Sequence, residues 1–198
     1  AEDGIRDVER SRGLGDVYKR QTLTNNTYVH LAPQFINLTT GNGPAWRVAD
    51  IYSGTASSYP GTYMEILVGD TLYFSATDGS SGTELWAHDT SNASTWLAAD
   101  INSGTGNSIP GGYMEILAGD TLYFSAQDGS GGRELWAHDL SNASTWRVAD
   151  INSGTGHSFP GRYMSILVGD TLYFDAEDGG SSGSCLLYTS PSPRDLST

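Results

Sequence analysis

A stretch of sequence beginning WRVADIYSGTASSYPGTYMEILVGDTLYFSATDGSSGTELWAHDTSNAST at Trp46 returns at Trp96 and again at Trp146, a period of 50 residues. A repeat of this length constrains the fold before anything else. Each copy must be one supersecondary unit that buries its faces against its neighbours. The third copy runs through DTLYFDAEDG and then departs. Where ELWAHD stands at 84–89 and 134–139, the chain reads CLLYTSPSPRD from Cys185 onward. Upstream, QFINLTTGNGPAW lies on ELWAHDTSNASTW with Asn42 and Trp46 in common, so 22–45 is expected to be the diverged end of a preceding unit.

Composition separates the two ends from the middle. Residues 22–184 contain no Lys and four Arg (Arg47, Arg133, Arg147, Arg162), whereas the first 21 residues hold five basic side chains. CLLYTSPSPRD resembles one reading frame of a transposase-type sequencing-library adapter, and SRGLGDVYKRQ, at 11–21, resembles its translated reverse complement. Segments 1–21 and 185–198 are therefore expected to be read-through from library construction, set aside as tags and scars are. Cys185, the single cysteine, goes with them, which leaves no disulfide framework, thiol nucleophile or Cys-based zinc site to expect. The two ends carry six acids and six bases, so the net charge of −13 lies in 22–184, as 17 acids against four bases. Such a surface repels phosphate backbones and anionic lipid and excludes nucleic acid as a partner. No apolar run approaches the roughly 18–20 residues of a membrane span.

Each repeat holds four strand candidates, in the first copy MEILV (64–68), TLYFSAT (71–77), ELWAHD (84–89) and TWLAADI (95–101). They are rich in aromatic and branched residues and bounded by Gly, Asp, Asn, Ser and Pro. Gly69-Asp70, repeated as Gly119-Asp120 and Gly169-Asp170, suits a type II′ hairpin turn. DGSSG (78–82) and TSNAS (90–94) supply the next two connections. Alternation places Leu72, Phe74 and Ala76 opposite Tyr73 and Ser75, and Leu85 and Ala87 opposite Trp86 and His88. Both faces are bulky, as for a sheet packed between two others. The expected fold is all-β: an incomplete β-propeller of four-stranded antiparallel meander blades, with units 46–95, 96–145 and a truncated 146–184. Two sheet flanks are expected to stay open, because closed propellers take about four to eight blades. A β-solenoid is the competing architecture.

Leu72-Tyr73-Phe74-Ser75-Ala76, Asp78-Gly79, Glu84-Leu85-Trp86 and Asp89 resemble the ELWxxDGT repeat family of large bacterial secreted or surface proteins. The likeness covers about 46–184 and departs after Asp89 and Asp139, where Thr90-Ser91 and Leu140-Ser141 replace the family's Gly-Thr. It implies propeller-type units and an extracellular or cell-surface location, and no enzymatic activity of its own.

The chemistry-bearing residues follow the repeat. His88 and His138 precede Asp89 and Asp139, but adjacent strand residues point to opposite faces, so packing or an edge hydrogen bond is expected. His157 stands where earlier copies have Ser57 and Asn107 and reads as drift, and His30 lies in the diverged region. Glu84, Glu134, Asp78 and Asp128 recur once per unit, which suits turn capping and contacts between units better than acid–base catalysis. No GxSxG, phosphate loop or HExxH is present. Asp100 and Asn102, with Asp150 and Asn152, have the two-apart oxygen spacing of calcium loops and are the candidate metal ligands. An Asx turn accounts for the same pattern, and Tyr52 replaces the Asn in the first unit. Asn92-Ala93-Ser94 and Asn142-Ala143-Ser144 match the glycosylation sequon, with a turn as the simpler reading.

The function expected from these residues is a non-catalytic binding or structural module, part of a larger exported propeller that presents loops to a protein or polysaccharide, with no cofactor. One alternative is the propeller scaffold of a polysaccharide hydrolase or lyase whose active site lies outside this stretch. Another is a calcium-stabilised adhesion repeat.

Overall fold

The computed structural model describes the strands at 27–31 and 34–38, and then residues 47–180 and 183–189. The fold is all-β, with no helix among those residues. Segments 1–21 and 190–198, along with Asn42 and Trp46, lie outside the described residues. Strands β1 (Thr27–Leu31) and β2 (Gln34–Leu38) form an antiparallel hairpin within one compact unit, Ala1–Arg47. His30 sits in β1.

The second unit, Val48–Thr198, holds the repeats. Its strands are β3 (Glu65–Val68), β4 (Thr71–Thr77), β5 (Thr83–Asp89), β6 (Ser94–Ala99), β7 (Glu115–Ala118), β8 (Thr121–Gln127), β9 (Arg133–Asp139), β10 (Ser144–Ala149), β11 (Ser165–Val168), β12 (Thr171–Glu177) and β13 (Ser184–Thr189). They form three antiparallel sheets, β3-β4-β5-β6, β7-β8-β9-β10 and β11-β12-β13, each a meander in sequence order. Gly69, Gly119 and Gly169 have φ of 58°, 57° and 60°, while the Asp that follows each stays at negative φ. Positive φ at the first central residue alone is what a type II′ turn requires.

The fourth strand ends earlier than TWLAADI suggests. Its register against β5 slips where Leu85 pairs with Ala99 but Trp86 pairs with Leu97. The chain then leaves the sheet so that the Ile101 N–H can donate to a Glu84 carboxylate oxygen at 2.8 Å. In the third sheet, Ser184–Thr189 occupies the slot of TELWAH (83–88), with Leu187 opposite Phe174 where Trp86 faces Phe74. Residues 185–189, expected as adapter-derived, thus pair as a strand. Physically, an open edge of β12 offers a row of backbone donors and acceptors to any extended segment with alternating bulk. The carboxylate does not carry over: Cys185 stands opposite Ala176, where Glu84 stands opposite Ala76.

Successive sheets pack face to face with the same residues one period on. Met64, Tyr73, Leu85 and Ala87 on the back of the first sheet gather with Leu122, Phe124, Ala126 and Trp136 on the front of the second. Met114 and Leu135 meet Leu172, Phe174 and Ala176 in the next interface. Each fully buried Leu or Phe contributes about 1.5–3 kcal/mol, so the interfaces rather than the short hairpins hold the sheets together. Phe74, Ala76 and Trp86 are buried on the front of the first sheet, and Phe74 with Val48, Ile51, Leu72 and His88 lines a groove of about 320 Å³ there. On the back of the third sheet Met164, Ile166, Val168, Leu186 and Tyr188 are 41–68% exposed. The first strands of neighbouring sheets approach one another: β7 contacts β11, and the Glu65 N–H donates to Glu115 Oε2 at 3.1 Å. No helix among the described residues is long and apolar enough to cross a membrane.

Candidate functional site

The crossing loops show what most of the repeated polar residues do. Glu84 is fully buried at the start of β5. Its Oε1 accepts from the Ser108 N–H at 3.0 Å, and its Oε2 from the Ile101 N–H at 2.8 Å and the Ser108 hydroxyl at 2.6 Å. Glu134 repeats this with Ile151 N–H and the Ser158 hydroxyl, both at 2.8 Å, but its Oε1 is buried without a partner. Burial pushes both carboxyls above their ordinary range, against donors that pull the other way. These glutamates tie the loop leaving one sheet to the strand it leaves behind. Ser108 then bridges sheets, because its N–H donates to the Thr83 carbonyl while its own carbonyl accepts from Gln127 N–H.

His157 corrects the reading of drift. Its Nδ1 accepts from the Arg133 N–H at 2.9 Å, where Asn107 Oδ1 accepts from the Thr83 N–H at 2.8 Å. An imidazole nitrogen replaces an amide oxygen as the acceptor. His88 and His138 each make a 2.7 Å cross-strand hydrogen bond, to Thr95 and Thr145. His138 also packs 5.6 Å from the Tyr73 ring of the preceding sheet, and burial lowers its pKa. Asp89 and Asp139 face away and cap their own turns through Ser91 and Ser141. Asp78 accepts from the N–H groups of Ser81 and Ser80, bonds that hold its carboxyl down at about 2. Asn92 and Asn142 close the same turns as Asp89 and Asp139, to whose carboxylates their amides donate.

The candidate calcium ligands divide. Asn102 turns its amide into the junction between sheets and donates to the Asn107 carbonyl at 3.2 Å, and Asn152 donates to His157 at 3.0 Å. Asp100 and Asp150 are exposed, with Asp150 3.8 Å from Arg147. Among the described residues no three His, Cys, Asp or Glu side chains gather around a common point.

A different constellation emerges at the loops that lead into β3, β7 and β11. The segments SYPGTYM (58–64), SIPGGYM (108–114) and SFPGRYM (158–164) put Tyr59, Ile109 and Phe159 at φ of 47°, 50° and 48°. Left-handed backbone costs a non-glycine residue about 1–2 kcal/mol, so its recurrence at every copy means that surrounding contacts enforce it. The carbonyl of that residue finds a different donor each time: the Thr62 hydroxyl at 2.9 Å, Arg133 Nη1 at 2.8 Å and the Arg162 N–H at 3.3 Å.

Four residues later come Tyr63, Tyr113 and Tyr163, whose N–H groups are pinned at 3.0 Å by Ser75 Oγ, Ser125 Oγ and Asp175 Oδ1. The three rings are 45%, 40% and 73% exposed. The Arg133 guanidinium lies 5.5 Å from the Tyr113 centroid. Arg162 lies 6.0 Å from Tyr113 and 5.4 Å from Tyr163, and it stacks 5.2 Å over Phe159. Arg133, Tyr113, Arg162 and Tyr163 therefore form one row across the second and third sheets, and Tyr63 holds the equivalent place in the first. Arg133 passes close to Gly112, where a β-carbon would sit 3.2 Å from its Nη1. The row escapes a search for motifs, though the repeated Pro-Gly-x-Tyr-Met marks it in the sequence.

No protein-family model and no curated protein matches the chain. Among solved structures it is similar to one described as the crystal structure of the tricorn protease, with a TM-score of 0.45 and 19% identity. That likeness covers 67% of this chain and 12% of that one.

Proposed function

We propose that the chain is a run of blades from a larger β-propeller of an exported or cell-surface protein, acting as a non-catalytic binding and structural module. The carrying observation is that the interface between the first and second sheets is rebuilt between the second and third. At the far end the back residues Met164, Ile166, Val168, Leu186 and Tyr188 have no such partner and stay exposed. Further support comes from the Glu84-type and Ser108-type residues, which serve the junctions rather than any site that occurs once. The ELWxxDGT likeness and the acidic surface favour an extracellular setting.

The test is a series of tandem arrays of the 96–145 unit with increasing copy number. A propeller gains stability abruptly at one copy number between about four and eight, where the ring closes, and becomes monodisperse there. A stability that climbs smoothly with each added copy, as in an open solenoid, would overturn the reading.

A further inference from the structure

We propose that the tyrosine row, Tyr63, Tyr113 and Tyr163 with Phe159 beside it, is a platform for an extended, uncharged, β-1,4-linked pyranose polymer. This rests on the binding-module reading above and gives it a ligand class. The argument begins with the repeat. One exposed tyrosine ring per sheet, at a fixed place in each copy, is an array, and an array suits a ligand that is itself periodic. A β-1,4-linked pyranose chain is a flat ribbon whose ring faces carry axial C–H groups and whose edges carry hydroxyls. Tyrosine offers the complementary pair, an apolar face and a polar rim at low entropic cost.

Rigidity is already supplied. The tyrosine backbones are tied to Ser75, Ser125 and Asp175, and the left-handed turn before them recurs unchanged. Little ordering is left to oppose binding. Charge then decides between glycan classes. Arg133 is 7% exposed and donates to the Ile109 carbonyl, while Arg162 is paired with Glu177 at 4.0 Å. One guanidinium is thus buried, and the other is exposed beside a carboxylate, in a chain of net charge −13. The exposed guanidinium of Arg162 is offset by Glu177, so the surrounding negative charge repels a polyanion and leaves a neutral polymer unopposed.

The experiment is affinity electrophoresis of the full 198-residue chain in gels containing soluble β-1,4-glucomannan, dextran or polygalacturonate. Retardation is expected in glucomannan alone and is expected to be insensitive to salt. Tyr163→Ala and Tyr113→Ala each weaken it by about three- to tenfold, the scale of one aromatic contact. Tyr163→Phe keeps it. Val168→Asp, on the exposed back of the third sheet, leaves it unchanged, which separates the row from a sticky flank. Three results would each overturn the assignment: no retardation in glucomannan, salt-sensitive retardation in polygalacturonate, or equal losses in Val168→Asp and Tyr163→Ala. Since Tyr163 is 73% exposed, its truncation tests the row even where Tyr113→Ala does not fold. Glycan binding and ring closure in tandem arrays are separate readouts, so either reading fails without the other.

Discussion

The two buried glutamates form a matched pair for a stability experiment, because they differ at one oxygen. In Glu84→Gln the amide oxygen takes the Oε2 place, keeping the Ile101 N–H at 2.8 Å and the Ser108 hydroxyl at 2.6 Å. The new NH2 group then confronts the Ser108 N–H, which donates to Oε1 in the native protein at 3.0 Å. In Glu134→Gln the NH2 group replaces an oxygen that has no partner. Both substitutions remove a buried charge, so the burial contribution largely cancels in the comparison. What remains is one charge-assisted bond, worth about 1.5–3 kcal/mol. The Ser108 N–H also reaches the Thr83 carbonyl at 3.0 Å, which puts the difference near the lower end, about 1.5 kcal/mol. For a chain of this size that is about 3–6 °C in midpoint. Thermal melts of the two variants measure it, and amide hydrogen exchange locates it. Exchange at Ser108 should accelerate in Glu84→Gln, while Ser158 stays protected in Glu134→Gln. If Glu134→Gln destabilises as much as Glu84→Gln, the hydrogen-bond account of the junction is wrong.

Four further outcomes follow from the same geometry. Ala143 sits at φ 58° in an exposed turn, so Ala143→Gly should stabilise by about 0.5–1 kcal/mol in urea melts, the strain relieved less the entropy lost. Burial depresses the pKa of His138, so its contribution is present above the unfolded value of 6.5 and is lost as pH falls below it; the midpoint should fall less between neutral and mildly acid pH in His138→Gln than in the native chain. A β-carbon at Gly132 would overlap the Gly156 carbonyl oxygen, whereas Gly104 has open space around it; Gly132→Ala should cost about 3 kcal/mol or more and Gly104→Ala about 1, read from chemical denaturation. The back of the third sheet leaves Met164, Ile166, Val168, Leu186 and Tyr188 exposed, so the native chain should self-associate through that face in sedimentation, and Ile166→Lys with Val168→Asp should shift it toward monomer.

The sheets were legible in the sequence because their signals are local. Alternation fixed which face Leu72 and Tyr73 take, Gly-Asp fixed the hairpin turn, and the period of 50 fixed how many times the arrangement recurs. The loops were harder to read. The partners of Glu84 lie 17 and 24 residues away, and only the docking of the next unit brings them to it. His157 looked like an unrelated substitution for Asn107, because the shared property is an acceptor atom at one point in space rather than a residue type. The tyrosine–arginine row was hidden for a related reason. Its tyrosines obey the repeat, but its arginines come from non-equivalent positions, Arg133 on a strand and Arg162 in a loop, and converge on the Tyr113 ring, with Arg162 also reaching Tyr163. An alignment of the copies scores Gly112 against Arg162, and Thr83 against Arg133, as plain mismatches. In space, Arg133 passes close to Gly112, and a β-carbon there would sit 3.2 Å from its Nη1. Two departures from the repeat thus each bring a guanidinium to the Tyr113 ring. Such convergence is expected where the arrangement itself, more than any single residue, is what the surface requires.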